Sequence, residues 1–194
     1  MATRFPFLFS VSLLAALSGC VDPPKSPYVD VHDLVADIEK ARPTAEQGTA
    51  DDQYALGARY EKALPDDHRE AVHWYRLAAQ QRHVEALYRL CVLSDTGRGI
   101  AQDYQEALRW CHLAADQGHG QAMFVIGSHY ANGRGVLKDV VQAHQWYNLA
   151  AAHGYEAAAK WRERLAYDMT PTQIAQAQFL ARNWKPRPDD SPQE

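Results

Sequence analysis

The chain has few of the residues from which catalytic or metal centres are usually built. Only three cysteines occur in 194 residues, at positions 20, 91 and 111, which excludes a cysteine-dense scaffold. There is no His-Glu-x-x-His, no Gly-x-Ser-x-Gly and no Ser-x-x-Lys, so zinc hydrolysis and activated-serine chemistry lack their usual residues. Nine histidines lie at 32, 68, 73, 83, 112, 119, 129, 144 and 153, none four residues from another, and they read as residues of solvated helix faces. No metal, cofactor or catalytic residue is expected. The 20 Lys and Arg against 24 Asp and Glu form no basic block, which argues against a nucleic-acid partner. The longest apolar run, Phe5 to Leu17, covers 13 positions interrupted by Pro6, Ser10 and Ser12. That is short of the roughly 20 residues a membrane-spanning helix needs.

What is present begins with an export signal: one positive charge at Arg4, the apolar run, then Ser18 and Gly19 before Cys20. Leu17-Ser18-Gly19-Cys20 resembles the lipobox of bacterial lipoproteins. The resemblance implies removal of residues 1–19, lipidation of Cys20 and anchoring by more than one acyl chain, since a single chain holds a protein only marginally. Cleavage removes only Arg4 among the charges, taking the net charge from −4 to 19 − 24 = −5. The residue after the cysteine is Val21 rather than Asp, which by the same resemblance implies the inner leaflet of the outer membrane, facing the periplasm. Val21 to Tyr28 has three prolines in eight residues, so 20–29 reads as an extended tether. Lys185 to Glu194 has no apolar residue but proline and reads as a disordered tail. Residues 30–184 are left as one domain.

That domain repeats internally. Trp74, Trp110 and Trp146 are 36 residues apart, as are Ala71, Ala107 and Ala143, then Leu77, Leu113 and Leu149, then Ala78, Ala114 and Ala150. A second block precedes each: Leu56-Gly57-x-x-Tyr60, Leu90-Cys91-x-x-Ser94 and Ile126-Gly127-x-x-Tyr130. Ala122, Ile126 and Tyr130 follow at i, i+4, i+8, and Ala143, Trp146 and Ala150 at i, i+3, i+7, so each unit is a pair of antiparallel helices. The first unit is 34 residues long against 36. Gly97-Arg98-Gly99 and Gly133-Arg134-Gly135 follow no strand and precede no Lys-Ser/Thr, which makes them turns between helices rather than phosphate loops. Val31 to Ala41 is expected to cap the front end, stopped by Pro43. Glu156 to Tyr167 reads as one more first-type helix. Thr170-Pro171-Thr172-Gln173 then starts a closing helix, with Ile174, Ala177, Ala181 and Trp184 on one side.

These blocks resemble the Sel-one-like repeat, a relative of the tetratricopeptide repeat, over about residues 45 to 158. Ala122 to Gly154 matches almost every column, while Asp52, Arg82, Cys91 and Ser94 depart from the pattern. The fold implied is all-α: a right-handed α/α solenoid of about three helix pairs with capping helices at both ends. The two cysteines left in the fold, Cys91 and Cys111, both fall in the second repeat. An antiparallel pair can bring them within reach of a disulfide in an oxidising compartment, the alternative being two buried thiols.

If positions 56, 57 and 60 face inward, the opposite side of the first helices carries Asp51, Tyr54 and Glu61, then Glu85, Tyr88 and Asp95, then Gln121 and Phe124. By analogy with tetratricopeptide arrays this face lines a concave groove, and aromatics with acids beside them suit a protein-binding hot spot. The competing reading is that the rings pack sideways onto the neighbouring first helix. The function expected is binding of one protein partner, with the membrane touched through the lipid anchor alone. The resemblance extends to immunity proteins that neutralise phospholipase toxins acting in the periplasm. The alternatives are an assembly scaffold of an envelope or exopolysaccharide export machine and, remotely, a β-lactam-binding or hydrolysing enzyme, whose relatives carry a cysteine pair in nearly every repeat.

Overall fold

The computed structural model describes residues 31–63 and 68–187; Cys20, the tether and residues 188–194 lie outside it. Nine helices and no strand occur among the described residues: α1 (Val31–Glu46), α2 (Ala50–Ala63), α3 (Arg69–Gln80), α4 (Val84–Thr96), α5 (Tyr104–Asp116), α6 (Gly120–Asn132), α7 (Val140–Ala152), α8 (Ala157–Ala166) and α9 (Pro171–Asn183). α2–α3, α4–α5 and α6–α7 are the three pairs of an α/α solenoid, each also packed on the next through α3–α4 and α5–α6. None of these helices is long and apolar enough to cross a membrane.

Within a pair the first helix offers a position without a side chain and the second fills it with a ring. A methyl group on Gly57 would lie 2.8 Å from the Tyr75 ring, and one on Gly127 would lie 2.7 Å from Tyr147. In the second pair both partners change together: Cys91 stands in the glycine column and Cys111 in the tyrosine column. They form a disulfide with the Cα atoms 5.2 Å apart. Ser94, in the column of Tyr60 and Tyr130, is fully buried there.

The turns between helices are equally tight. Gly97 and Gly133 end α4 and α6 in the left-handed region, at φ 72° and 70°, returning their N–H groups to Leu93 and His129. Gly99 and Gly135, also at positive φ, press on the preceding repeat. A methyl on Gly99 would meet the His68 backbone at 2.5 Å, and one on Gly135 would meet Tyr104 at 2.8 Å. These loops are therefore spacers between repeats. Asp103 and Asp139 then start α5 and α7, each side chain accepting two backbone N–H bonds at 2.8 to 3.0 Å. At the closing position, where Gly118 and Gly154 take φ of 86° and 88°, Arg82 is held at φ 62°.

The ends differ from the expectation at the front and extend it at the back. α1 does not stop before Pro43 but continues through it to Glu46. The proline removes one helix hydrogen bond, and tertiary contacts outweigh the loss. Ala45 is 1% exposed against α2, and the Arg42 guanidinium donates to the Tyr60 hydroxyl and lies over its ring. At the back, α8 carries Arg162 and Glu163 where Ile126 and Gly127 stand in α6, and those charges end the stacking. α9 starts with a complete Thr170/Gln173 capping box and Pro171 in its first turn. Rather than pairing with α8, it lies on α7, with Ala177 buried and Trp184 against Trp146. Lys185 to Arg187 continue the chain without helix. They are not wholly frayed, because Arg187 is bonded to Asp116.

The exchange of Gly/Tyr for Cys/Cys can be tested as a swap. Reducing the bridge in urea should lower stability by about 3 kcal/mol, as expected for a loop of this size. The double variant Cys91→Gly, Cys111→Tyr should regain most of that loss and become insensitive to reductant. Denaturation curves with and without reductant check both.

Candidate functional site

The side chains expected to form the binding face are in place on α2, α4 and α6, and most use one edge to join neighbouring repeats. Tyr54 lies flat on His83 at a centroid distance of 4.5 Å, and Tyr88 lies on His119 at 4.4 Å. Each histidine is the N-cap of the next first helix, its Nδ1 accepting the N–H of Ala86 or Ala122 at 3.1 Å. An accepting Nδ1 leaves the proton on Nε2. Nε2 in turn faces Asp51 at 3.2 Å in the first joint and Glu85 at 3.1 Å in the second. One ring thus caps a helix, stacks on a tyrosine and binds a carboxylate of the preceding repeat.

The third joint replaces the histidine with Tyr155 and the acid with Gln121, which is exposed and has no such partner role. There Phe124 packs on Tyr147, Tyr155 and Trp161 at centroid distances of 5.3, 5.1 and 6.0 Å. Glu61 accepts the Tyr75 hydroxyl at 2.7 Å and lies 3.7 Å from Arg89. Burial, and then the bond to Glu61, push the Tyr75 phenol well above its ordinary range. Asp95 is drawn to the far end of α4, its Oδ1 3.0 Å from Nε2 of His129. The other ring nitrogen of His129 donates to the Arg134 carbonyl at 2.9 Å.

Two residues of this face, half-buried Arg89 and exposed Trp161, were not anticipated. Arg89 lies in its middle, within 3.7 Å of both Glu61 and Glu85. Partial burial opposes its charge, but Glu61 and the Tyr54 hydroxyl outweigh that and raise its pKa above the ordinary value. Trp161 of α8 is 50% exposed beside Phe124. Arg89, Val125 and Trp161 are spaced by 36 residues, so extending the repeat register into α8 would have found both. The histidines differ from the expectation of solvated residues. His68, His129 and His144 are only 2%, 2% and 3% exposed, and His83 and His119 cap helices, so as a set they are not residues of solvated faces. The rings of His83 and His119 meet a backbone N–H and a carboxylate across a repeat boundary, His129 bonds the Arg134 carbonyl, and His68 faces the Arg98 guanidinium.

Near-identical helix pairs in one register, with a polar and aromatic face left free along the first helices, define a repeat-solenoid protein. The Sel1 repeat profile matches residues 50–83, 84–119 and 120–155, more than half of the sequence, and the chain belongs to the Sel1 repeat family. Among solved structures it is similar to c5321, a protective antigen present in uropathogenic Escherichia coli strains that displays an SLR fold. That match has 32% identity and a TM-score of 0.70, over 74% of this chain and 31% of that one. It is also similar to a Sel1 repeat protein from Oxalobacter formigenes, with 27% identity and a TM-score of 0.60 over 78% of this chain and 68% of that one. The chain thus spans about a third of the length of the E. coli protein. No curated protein gives a significant match. Sel1 repeat proteins are in general protein–protein interaction modules, and the fold is typically a non-enzymatic scaffold.

The histidine joint predicts a graded response. His119→Ala should cost about 2 kcal/mol through the lost cap and stack, whereas His119→Asn should keep the cap and recover about half of that. Urea denaturation of the two variants checks it.

Proposed function

We propose that this chain is a lipid-anchored envelope protein that holds one protein partner against the face of its first helices. The observation that carries the reading is the row of aromatics ending in Phe124, Tyr155 and half-exposed Trp161, with Arg89 beside it. Tryptophan, tyrosine and arginine dominate the energetics of protein interfaces. Here the rings are already ordered by contacts within the fold, so little side-chain freedom is lost on binding. Three observations support the envelope location: Leu17-Ser18-Gly19-Cys20 at the end of an export signal, a disulfide that needs an oxidising compartment, and the similarity to a protein described as a protective antigen. The particular form we favour is neutralisation of a toxin acting in the periplasm.

Because Tyr54 and Tyr88 also join repeats, their removal would mix folding with binding, and Trp161 is the cleaner probe. A photo-crosslinking residue at position 125 or 161 should give one discrete protein adduct in cells, and one at position 109, on an outer helix face, should give none. Equal labelling from both faces would remove this reading. Cys20→Ser should release the protein from membranes into the soluble fraction, and continued association after alkaline washing would count against the anchor.

A further inference from the structure

The back of the solenoid carries a feature the binding face does not explain. The outer face of the second helices is open in the first two repeats: Arg69 and His73 of α3 and Gln105 and Arg109 of α5 are exposed. In α7 the equivalent Val141 and Gln145 are covered, and α9 is the added helix that lies there. Yet the covered face is polar. Gln145 Oε1 is buried without a hydrogen-bond partner, a cost that lasts only while the cover stays on. α9 itself fully buries one residue, Ala177.

Beyond α9 the chain crosses to the previous repeat. Trp184 packs edge-on against Trp146 and His153, at centroid distances of 6.0 and 6.1 Å. Arg187 then grips Asp116 at the end of α5 three times: its backbone N–H at 3.2 Å, and Nε and Nη2 each at 3.0 Å. Beneath this clamp lies His112, which meets Trp146 edge-on at 5.2 Å.

We propose that α9 and the segment to Arg187 form a detachable strap, locked across the outer helices by the Arg187–Asp116 clamp over His112 and released by mild acid. The charged groups acting on His112 are Arg187 of the strap and Asp116 of its own helix; α7 presents Trp146, and the strap's anchor adds His153. Burial first, and Arg187 second, lower the His112 pKa to about 4, against a small opposing pull from Asp116. Lifting the strap returns the ring to water and toward the ordinary 6.5. As pH falls from 6.5 toward 4, the open form therefore takes up a proton that the closed form refuses. Closure is at full strength above 6.5 and weakens through that window. At pH 5 the two limits allow a shift toward the open form of up to about thirtyfold.

Hydrogen exchange of the full-length protein at pH 7.5 and pH 5, corrected for intrinsic rates, tests the strap. The amides of α9 should lose protection by about tenfold or more at pH 5 while those of α6 hold theirs. His112→Asn, which installs the residue α7 has in that column, should abolish the pH effect and leave α9 closed. Asp116→Asn should open α9 at both pH values. Equal protection of α9 and α6 under both conditions, or a pH effect that survives in His112→Asn, would overturn the proposal.

Discussion

The approach of one helix pair to the next is limited by backbone atoms rather than by side chains, and the other contacts follow from that distance. Gly99 and Gly135 sit where the chain of one repeat touches the start of the second helix in the repeat before it, leaving no room for a Cβ. At that separation the N-cap of each first helix falls beside the carboxylate and tyrosine of its neighbour. A single histidine can then satisfy all three at positions 83 and 119. The same closeness, within a pair, lets Tyr75 and Tyr147 fill the hollows left by Gly57 and Gly127. Stability in such a stack is a sum over neighbouring contacts, so a shift at one turn is felt at the joints on either side.

Departures from the repeat make sense in the same terms. Exchanging glycine and tyrosine for Cys91 and Cys111 gives up a ring in the core of the second pair and closes the gap with a covalent bond. That ties the correct fold to an oxidising compartment, in keeping with the proposed location. At the end of the stack, Arg162 and Glu163 occupy columns that are apolar or small elsewhere, so no further pair can dock there. α9 does not add a repeat but doubles back along α7.

The repeat was legible because its signal is a spacing. Tryptophan, alanine and leucine recur every 36 residues and report the helix pairs without reference to any contact. The closing helix was legible for a local reason, since Thr170, Pro171 and Gln173 specify its start by their own hydrogen bonds. What the sequence obscured depends on distant partners. Pro43 marks a helix end in isolation, and only the buried Ala45 and the Arg42–Tyr60 bond carry α1 past it. Histidine is ambiguous in the same way: at positions 83 and 119 it replaces the usual Ser, Thr, Asp or Asn cap, a role visible only once the neighbouring acid and tyrosine are in place. Along the binding face, Tyr54, Tyr88 and Phe124 could be placed by register. Their second role in joining repeats, and the return path of Arg187 to Asp116, could not.

Backbone contact between repeats distinguishes two kinds of glycine. Gly99 and Gly154 both hold positive φ, 72° and 88°, but Gly99 meets the His68 backbone while nothing lies within 4 Å of a methyl on Gly154. The direct test is to replace each with alanine and measure unfolding in urea. Gly154→Ala should cost only the left-handed strain, about 1 kcal/mol. Gly99→Ala should cost that plus the displacement of a repeat, on the order of 3 kcal/mol in all. Equal losses at the two sites would contradict the account.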